Sequence, residues 1–402
     1  MAKVLFINPG PSGHLNPAVA VSKTLVERGE DVVFYANDHY KEKLSGTGVE
    51  LRIIPSEPIV EAFTTYGMNH LFNVINGLLK TTDIILPQIL EDVQHEHYDY
   101  LIHDSMFGCG HLVSQKLNIP TISTVTSFNQ TTQTFDAFTK HLATTLTQDE
   151  VDNANAAFDE LKQHVESTYH VDVPSRFEVM NNPGDLNLSY VMEKFQIDYA
   201  SFDSQHNYFA GPSVIQPQPS GFMDEIDRSR PIIYISLGTI FNQNIAFFNK
   251  CFKALRDLNV TVVVSIGNEN RLEDFEDIPD NFILKAYVPQ TELLQHTSLF
   301  LTHAGMNSTN ESMMMGVPML AFPQSADQPV VAQQIEDLNL GQQLNAETMT
   351  PEILKQTVLD MLGNLEYYQH NIDQIRDTEP NQRPGYELAV DRILAFRDQN
   401  CK

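Results

Sequence analysis

The chain has 402 residues, of which 42% are hydrophobic, enough apolar material for two sizeable cores at about 150 residues per domain. Its formal net charge of −27 repels phosphate backbones and anionic lipid, which argues against a nucleic-acid partner or a membrane-surface role. Three cysteines, Cys109, Cys251 and Cys401, show no metal or redox spacing; they read as two buried thiols and one in a frayed tail, without a metal.

Lys3 to Pro9 (KVLFINP) reads as a buried parallel strand, and Gly10-Pro11-Ser12-Gly13 as a turn. Asn16 is expected to cap a helix with Pro17 in its first turn, ending near Gly29. Asp31 to Asn37 is the second strand, completing a βαβ unit. Met1 to Gly13 has too short an apolar run for a signal peptide. Long helical stretches are expected over 69–95 and 133–168. The apolar part, Leu71 to Leu90, is interrupted by Asn73, Asn76, Lys80, Asp83 and Pro87 and so does not read as a membrane span. The expected address is the cytoplasm. Tyr98 to Asp104 reads as a strand, Phe107 to Leu117 as a helix and Pro120 to Thr126 as a strand. Gly108-Cys109-Gly110 is not a dinucleotide fingerprint and reads as close helix packing.

Pro212, Pro217 and Pro219 mark a linker, and a second run of strands and helices starts at Pro231. Ile232 to Leu237 is a strand followed by Gly238-Thr239 and a helix to about Asp257. Short apolar strands follow at Val260 to Ile266, Phe282 to Val288, Leu299 to Thr302 and Pro318 to Phe322. The fold class is therefore α/β, with two doubly wound Rossmann-like domains facing a cleft. We expect an N-terminal domain over 1–212, a C-terminal domain over 213–380 and a last helix over 381–402. In such sheets ligands sit beyond the carboxyl ends of the strands.

In the second domain, Leu299 to Gly305 ends a strand, and Asn307-Ser308-Thr309 opens a helix that Ser308 or Asn307 can cap. Its N-terminus favours an anion, with His303 beside it. Glu311 lies one turn on from Asn307, where a ribose diol could satisfy it. Asp327 and Gln328 offer a carboxylate and an amide to sugar hydroxyls. On these residues alone, a plain strand–helix–strand unit with an ordinary cap accounts for the pattern equally well. In the first domain, His14 stands at the mouth of the first turn, and Asp104 ends a strand of the same sheet. A carboxylate accepting from Nδ1 would leave Nε2 as a base.

The stretch from Tyr287 to Gln328 resembles the donor-binding signature of the UDP-sugar glycosyltransferases. The shared elements are Pro289-Gln290, His303, Gly305, Asn307-Ser308-Thr309, Glu311, Gly316-Val317-Pro318 and Asp327-Gln328. Weaker likeness extends over most of the chain, including Ser236-Leu237-Gly238-Thr239. The whole most resembles the small bacterial macrolide and flavonoid type, often called YjiC-like. The resemblance implies the GT-B fold, a UDP-sugar such as UDP-glucose as co-substrate, no cofactor, and an inverting, metal-independent transfer to an apolar hydroxylated small molecule. It implies that Tyr287, Val288 and Gln290 meet the base and ribose, with Glu311 on the ribose hydroxyls. His303, Asn307, Ser308, Ser236 and Thr239 would hold the diphosphate, Asp327 and Gln328 would hold the hexose, and Gly238 and Gly305 also belong to the donor site. His14 and Asp104 match the family's base and its partner. Tyr287 stands where plant members carry Trp, which leaves dTDP-sugars open as donors. The chain contains no Asp-x-Asp triplet of the kind that clamps a metal–diphosphate. Met68, Phe72, Ile75 and Leu79 recur at helical spacing. They read as core or, with Phe107, Phe128 and Phe135, as the wall of an acceptor pocket. A nucleotide-sugar epimerase or hydrolase on the same fold, or a binding protein without activity, are the other readings.

Overall fold

A computed structural model describes residues 2–238, 243–376 and 383–401. The chain forms two compact units, Met1–Ser213 with Arg383–Lys402, and Val214–Gln382.

The first unit is built on seven strands: β1 (Lys3–Ile7), β2 (Asp31–Asn37), β3 (Glu50–Ile54), β4 (Tyr100–Asp104), β5 (Thr121–Val125), β6 (Leu186–Ser189) and β7 (Asn207–Phe209). They lie in the order β3-β2-β1-β4-β5-β6-β7, all parallel. Alternation along each strand splits the apolar residues between two cores. Val4, Phe6, Val32 and Phe34 face one core, shared with the helix Ser12–Glu27 and the C-terminal helix Gly385–Asn400. Leu5, Ile7, Val33 and Tyr35 face the other, beneath helices that include Leu71–Lys80 and Gln148–Tyr169. Both faces being covered is why these strands read as continuous apolar runs.

The second unit contains β8 (Ile232–Ser236), β9 (Thr261–Ser265), β10 (Phe282–Lys285), β11 (Thr297–Thr302), β12 (Met319–Ala321) and β13 (Gly341–Gln343). Their order is β10-β9-β8-β11-β12-β13, again parallel. Ile233, Ile235, Val262 and Val264 line a core with the helices Ile245–Leu255 and Pro351–Gly363. Tyr234 and Ser236 point the other way. In each sheet the strand order reverses once, between β1 and β4 and between β8 and β11. A doubly wound sheet opens its crevice at that point.

Several helix boundaries differ from expectation. The first helix starts at Ser12 with Pro11 as its N-cap, not at Asn16, so His14 sits in its first turn. Amides of His14 and Leu15 both donate to the Pro11 carbonyl, at 2.9 and 3.1 Å. The stretch 69–95 breaks at Thr81, between helices Leu71–Lys80 and Thr82–Asp92, where the Thr81 hydroxyl turns back onto the Leu78 carbonyl. The stretch 133–168 breaks at Leu146, where Thr147 and Glu150 form a reciprocal capping box for the second helix. The helix expected from Phe107 begins at Gly110, after Cys109 takes a left-handed φ of 44°. Gly110 fits close packing: a Cβ there would lie 2.0 Å from the His103 ring. Cys401 is only partly exposed, and its Sγ meets the Asp99 carbonyl, so it is held rather than frayed. Among the described residues, no helix is long and apolar enough to cross a membrane.

Candidate functional site

At the carboxyl end of the first sheet, β1 and β4 are hydrogen-bonded neighbours, with Ile7 opposite His103. That register brings the turn after β1 beside Asp104. The His14 Nδ1 lies 3.1 and 3.0 Å from the two Asp104 carboxylate oxygens. Asp104 is fully buried, whereas the His14 side chain keeps 21% exposure. A buried carboxylate needs donors. Asp104 Oδ1 accepts the Met106 and Phe107 amides at 2.9 and 2.8 Å, and the imidazole N–H completes the set. This pairing places the proton on Nδ1 and makes Nε2 the basic nitrogen.

Three supports are not legible in the sequence. The Asn8 amide spans the turn, accepting the Gly10 N–H at 3.2 Å and donating to the His14 carbonyl at 3.0 Å. Thr126 Oγ1 stands 3.1 Å from His14 Nδ1. The Phe107 ring meets the imidazole edge-on at 4.9 Å, and Gly10 makes room for both, since a Cβ there would touch Phe107 at 2.9 Å.

Of the apolar candidates, Phe107 and Phe128 are half-buried, Phe128 lying against Phe195 at 5.4 Å. Met68 is 70% exposed, in the turn before helix Leu71–Lys80. Phe72 and Phe135 do not line an open wall: both are buried. The Arg176 guanidinium lies over the Phe72 ring at 5.4 Å, and Phe135 packs on Phe177 at 5.7 Å. Ile75 and Leu79 are core residues too. Through Phe72, Ile75 and Leu79 the helical spacing marks a buried face beside the helix Gln148–Tyr169, whereas Met68 lies outside it.

In the second unit, Ser236 and Thr302 are register partners at the ends of β8 and β11. The chain after β11 turns through Ala304, whose φ of 62° is left-handed and costs an alanine about 1–2 kcal/mol. This turn starts the helix Met306–Met314 with Gly305 as N-cap and no side-chain cap. Asn307 and Ser308 are therefore first-turn residues rather than caps. The His303 imidazole is wedged between two glycines: a Cβ at Gly238 or Gly305 would lie 2.6 or 2.4 Å from Nε2. The Gly238 amide reaches Ser236 Oγ at 3.3 Å. Thr239 lies outside the described residues.

Gln290 opens the helix Gln290–Leu294. Its Nε2 donates to Glu311 Oε2 at 2.7 Å and Ser308 Oγ at 3.1 Å, joining three of the expected donor-site residues. Tyr287 is 77% exposed, a bare ring beside this cluster in sequence. Val288 is buried, so a base could meet its backbone but not its side chain. Asp327 is half-buried at the N-cap of the helix Gln328–Asp337. Gln328 is buried, and its Oε1 accepts the Gln324 and Ser325 amides at 2.8 and 3.2 Å, which turns Nε2 away from them.

Burial lowers the pKa of both His303 and His103 to about 4; hydrogen bonds to the backbones of Ser236 and Asp104 oppose this only in part. Both imidazoles are neutral at pH 7. A depressed histidine pKa means that the unfolded chain takes up protons first as pH falls. Stability should be full above about pH 6.5, fall between 6.5 and 4, and level off below; the ceiling is about 3 kcal/mol for each imidazole. Urea midpoints measured across that range test this. A flat profile between pH 6.5 and 4 would contradict it.

Two family models match the chain. The C-terminal domain of erythromycin biosynthesis protein CIII-like proteins matches residues 249–393, and the N-terminal domain of glycosyltransferase family 28 matches residues 4–94. The uncharacterized UDP-glucosyltransferase YojK of Bacillus subtilis is 31% identical over 374 residues, 91% of each chain. The NDP-glycosyltransferase YjiC of the same organism is 31% identical over 99% of this chain and 98% of its own. Among solved structures, the glycosyltransferase of kitacinnamycin superposes with a TM-score of 0.86 at 20% identity, covering 98% of both chains.

Proposed function

From the premise that the chain belongs to the nucleotide-sugar-dependent glycosyltransferases, with the GT-B fold, we propose that it transfers a hexose, glucose first, from a UDP-sugar to a hydroxyl of an apolar small molecule. The acceptor classes that fit are flavonoids and other phenolics, macrolides, terpenoids and steroids. The observation that carries the step from binding to transfer is the His14–Asp104 pair.

In this reading, Nε2 of His14 takes the acceptor proton. The oxygen attacks the anomeric carbon opposite the diphosphate, the bond to the diphosphate breaks, and the configuration inverts. Asp104 holds the tautomer and stabilises the imidazolium once formed. The diphosphate rests on the amides at the start of helix Met306–Met314, with His303, Asn307, Ser308, Ser236 and Gly238 around it. An arriving diphosphate favours the protonated form of His303 and so raises its depressed pKa. Glu311 and Gln290 take the ribose, Tyr287 the base, and Asp327 with Gln328 the hexose. These groups supply the charge stabilisation that a metal would otherwise provide, so the transfer is metal-independent.

The test is incubation with UDP-glucose and a mixed phenolic and macrolide panel in EDTA, read by mass. The expected product is acceptor plus one hexose. Donor consumption with no glycosylated acceptor points instead to an epimerase or hydrolase on this fold.

A further inference from the structure

Tyr234 sits in the middle of β8, facing away from the core of Ile233 and Ile235, and is 1% exposed. Its register partner on β11 is Phe300, and the two rings stack at 4.8 Å and 7°. Phenylalanine would fill this space equally well. A buried phenol in its place costs desolvation unless its hydroxyl is paired. The partner is specific: the Tyr234 hydroxyl donates to Gln290 Oε1 at 3.1 Å.

The Gln290 amide is thereby held at both ends. Its carbonyl takes the Tyr234 proton, and its NH₂ group serves Glu311 and Ser308. Were the amide turned over, its carbonyl would face the Glu311 carboxylate, two acceptors in contact. A donor on the carbonyl also polarises the amide and strengthens its N–H bonds. Tyr234 touches neither Ser308 nor Glu311 in this chain of bonds, yet it sets the group that aligns them.

We propose that Tyr234 is a positioning residue for nucleotide binding: through Gln290 it fixes Glu311 and Ser308 in their binding geometry before the nucleotide arrives. This rests on the reading of that cluster as the nucleotide-sugar site. Preorganisation of this kind lowers the ordering cost of binding and leaves chemistry alone.

The test uses Y234F, Q290A and the double variant in the full chain. UDP affinity by calorimetry is expected to fall about three- to tenfold in Y234F, the size of one buried hydrogen bond. KM for the UDP-sugar should rise in step with kcat nearly unchanged, and the melting temperature should hold within a few degrees. In the Q290A background the same substitution should change nothing further, which a general loss of core packing would not reproduce. An affinity of Y234F within about twofold of the parent, or an equal loss with and without Gln290, overturns the proposal. A second readout needs no nucleotide. In protein labelled with ¹⁵N-glutamine, the side-chain amide pair missing from Q290A identifies Gln290, and that pair should shift in Y234F; an unmoved pair overturns the proposal. A parent chain that fails to bind UDP overturns the nucleotide-site reading instead, and the amide signal then decides Tyr234 on its own.

Discussion

Replacing His14 by Ala is expected to lower turnover by about 10²–10⁴, the usual contribution of a positioned general base. UDP affinity should stay within about twofold, because in the proposed mechanism the base acts on the acceptor hydroxyl and not on the nucleotide. Asp104→Asn should fall in the same direction for a different reason. An amide can present NH₂ to Nδ1, which then has to accept, and the proton moves to Nε2 where the base is needed. The buried amides of Met106 and Phe107 would keep their acceptor through the Asn carbonyl, so the fold should survive. Single-turnover rates with UDP-glucose and a phenolic acceptor check both variants. Turnover of His14→Ala within a few-fold of the parent would remove His14 from the chemistry.

The second large effect concerns the C-terminal helix Gly385–Asn400. Leu388, Ala389, Val390, Ile393 and Phe396 enter the same core as β1 and β2. The polar contact beside them is an ion pair between Arg397 and Glu30, whose side chain is 1% exposed. Tyr100 donates to the other oxygen of Glu30 at 3.1 Å. Arg397→Met keeps much of the aliphatic packing but leaves a buried carboxylate without its counter-charge. The expected loss is about 3–5 kcal/mol, read as a lower urea midpoint. Adding Glu30→Gln should recover a large part of it, because the cost lies in the stranded charge. If the single and double variants lose stability equally, the pair contributes through packing alone. The exposed pair between Arg28, at the end of the helix Ser12–Glu27, and Asp391 of the C-terminal helix should, by contrast, be worth less than about 1 kcal/mol.

The alternation of strands and helices was legible because parallel strands covered on both faces must be apolar throughout, as in KVLFI and IIYIS. The donor cluster was legible as a motif because its residues lie close together, between Tyr287 and Gln328. Helix starts were less so. The Thr147–Glu150 capping box is written in the sequence, inside a stretch whose composition reads as one long helix. Pro11 at the N-cap was hidden by Asn16, a better capping residue that tertiary packing left inside the helix. The left-handed Ala304 carries no sequence signal at all, since alanine rarely takes that conformation. Phe72 shows the limit of periodicity. A spacing of three or four marks a buried face, but protein and ligand are equally apolar neighbours.

The amino-acid sequence by itself determined the family motif between Tyr287 and Gln328, the imidazole and carboxylate near two strand ends, and the two α/β runs that carry them. These follow from local rules: period, chain order and the chemistry of side chains a few positions apart. Tertiary structure decided which distant groups touch. The neighbouring places of β1 and β4 join His14 to Asp104, and the pairing of β4 with β5 brings Thr126 beside them. The register of β8 on β11 stacks Tyr234 on Phe300, and the same tyrosine carries its hydroxyl to Gln290. Strand order and register are set by the sum of core packing over each sheet, and no short stretch of sequence contains that sum.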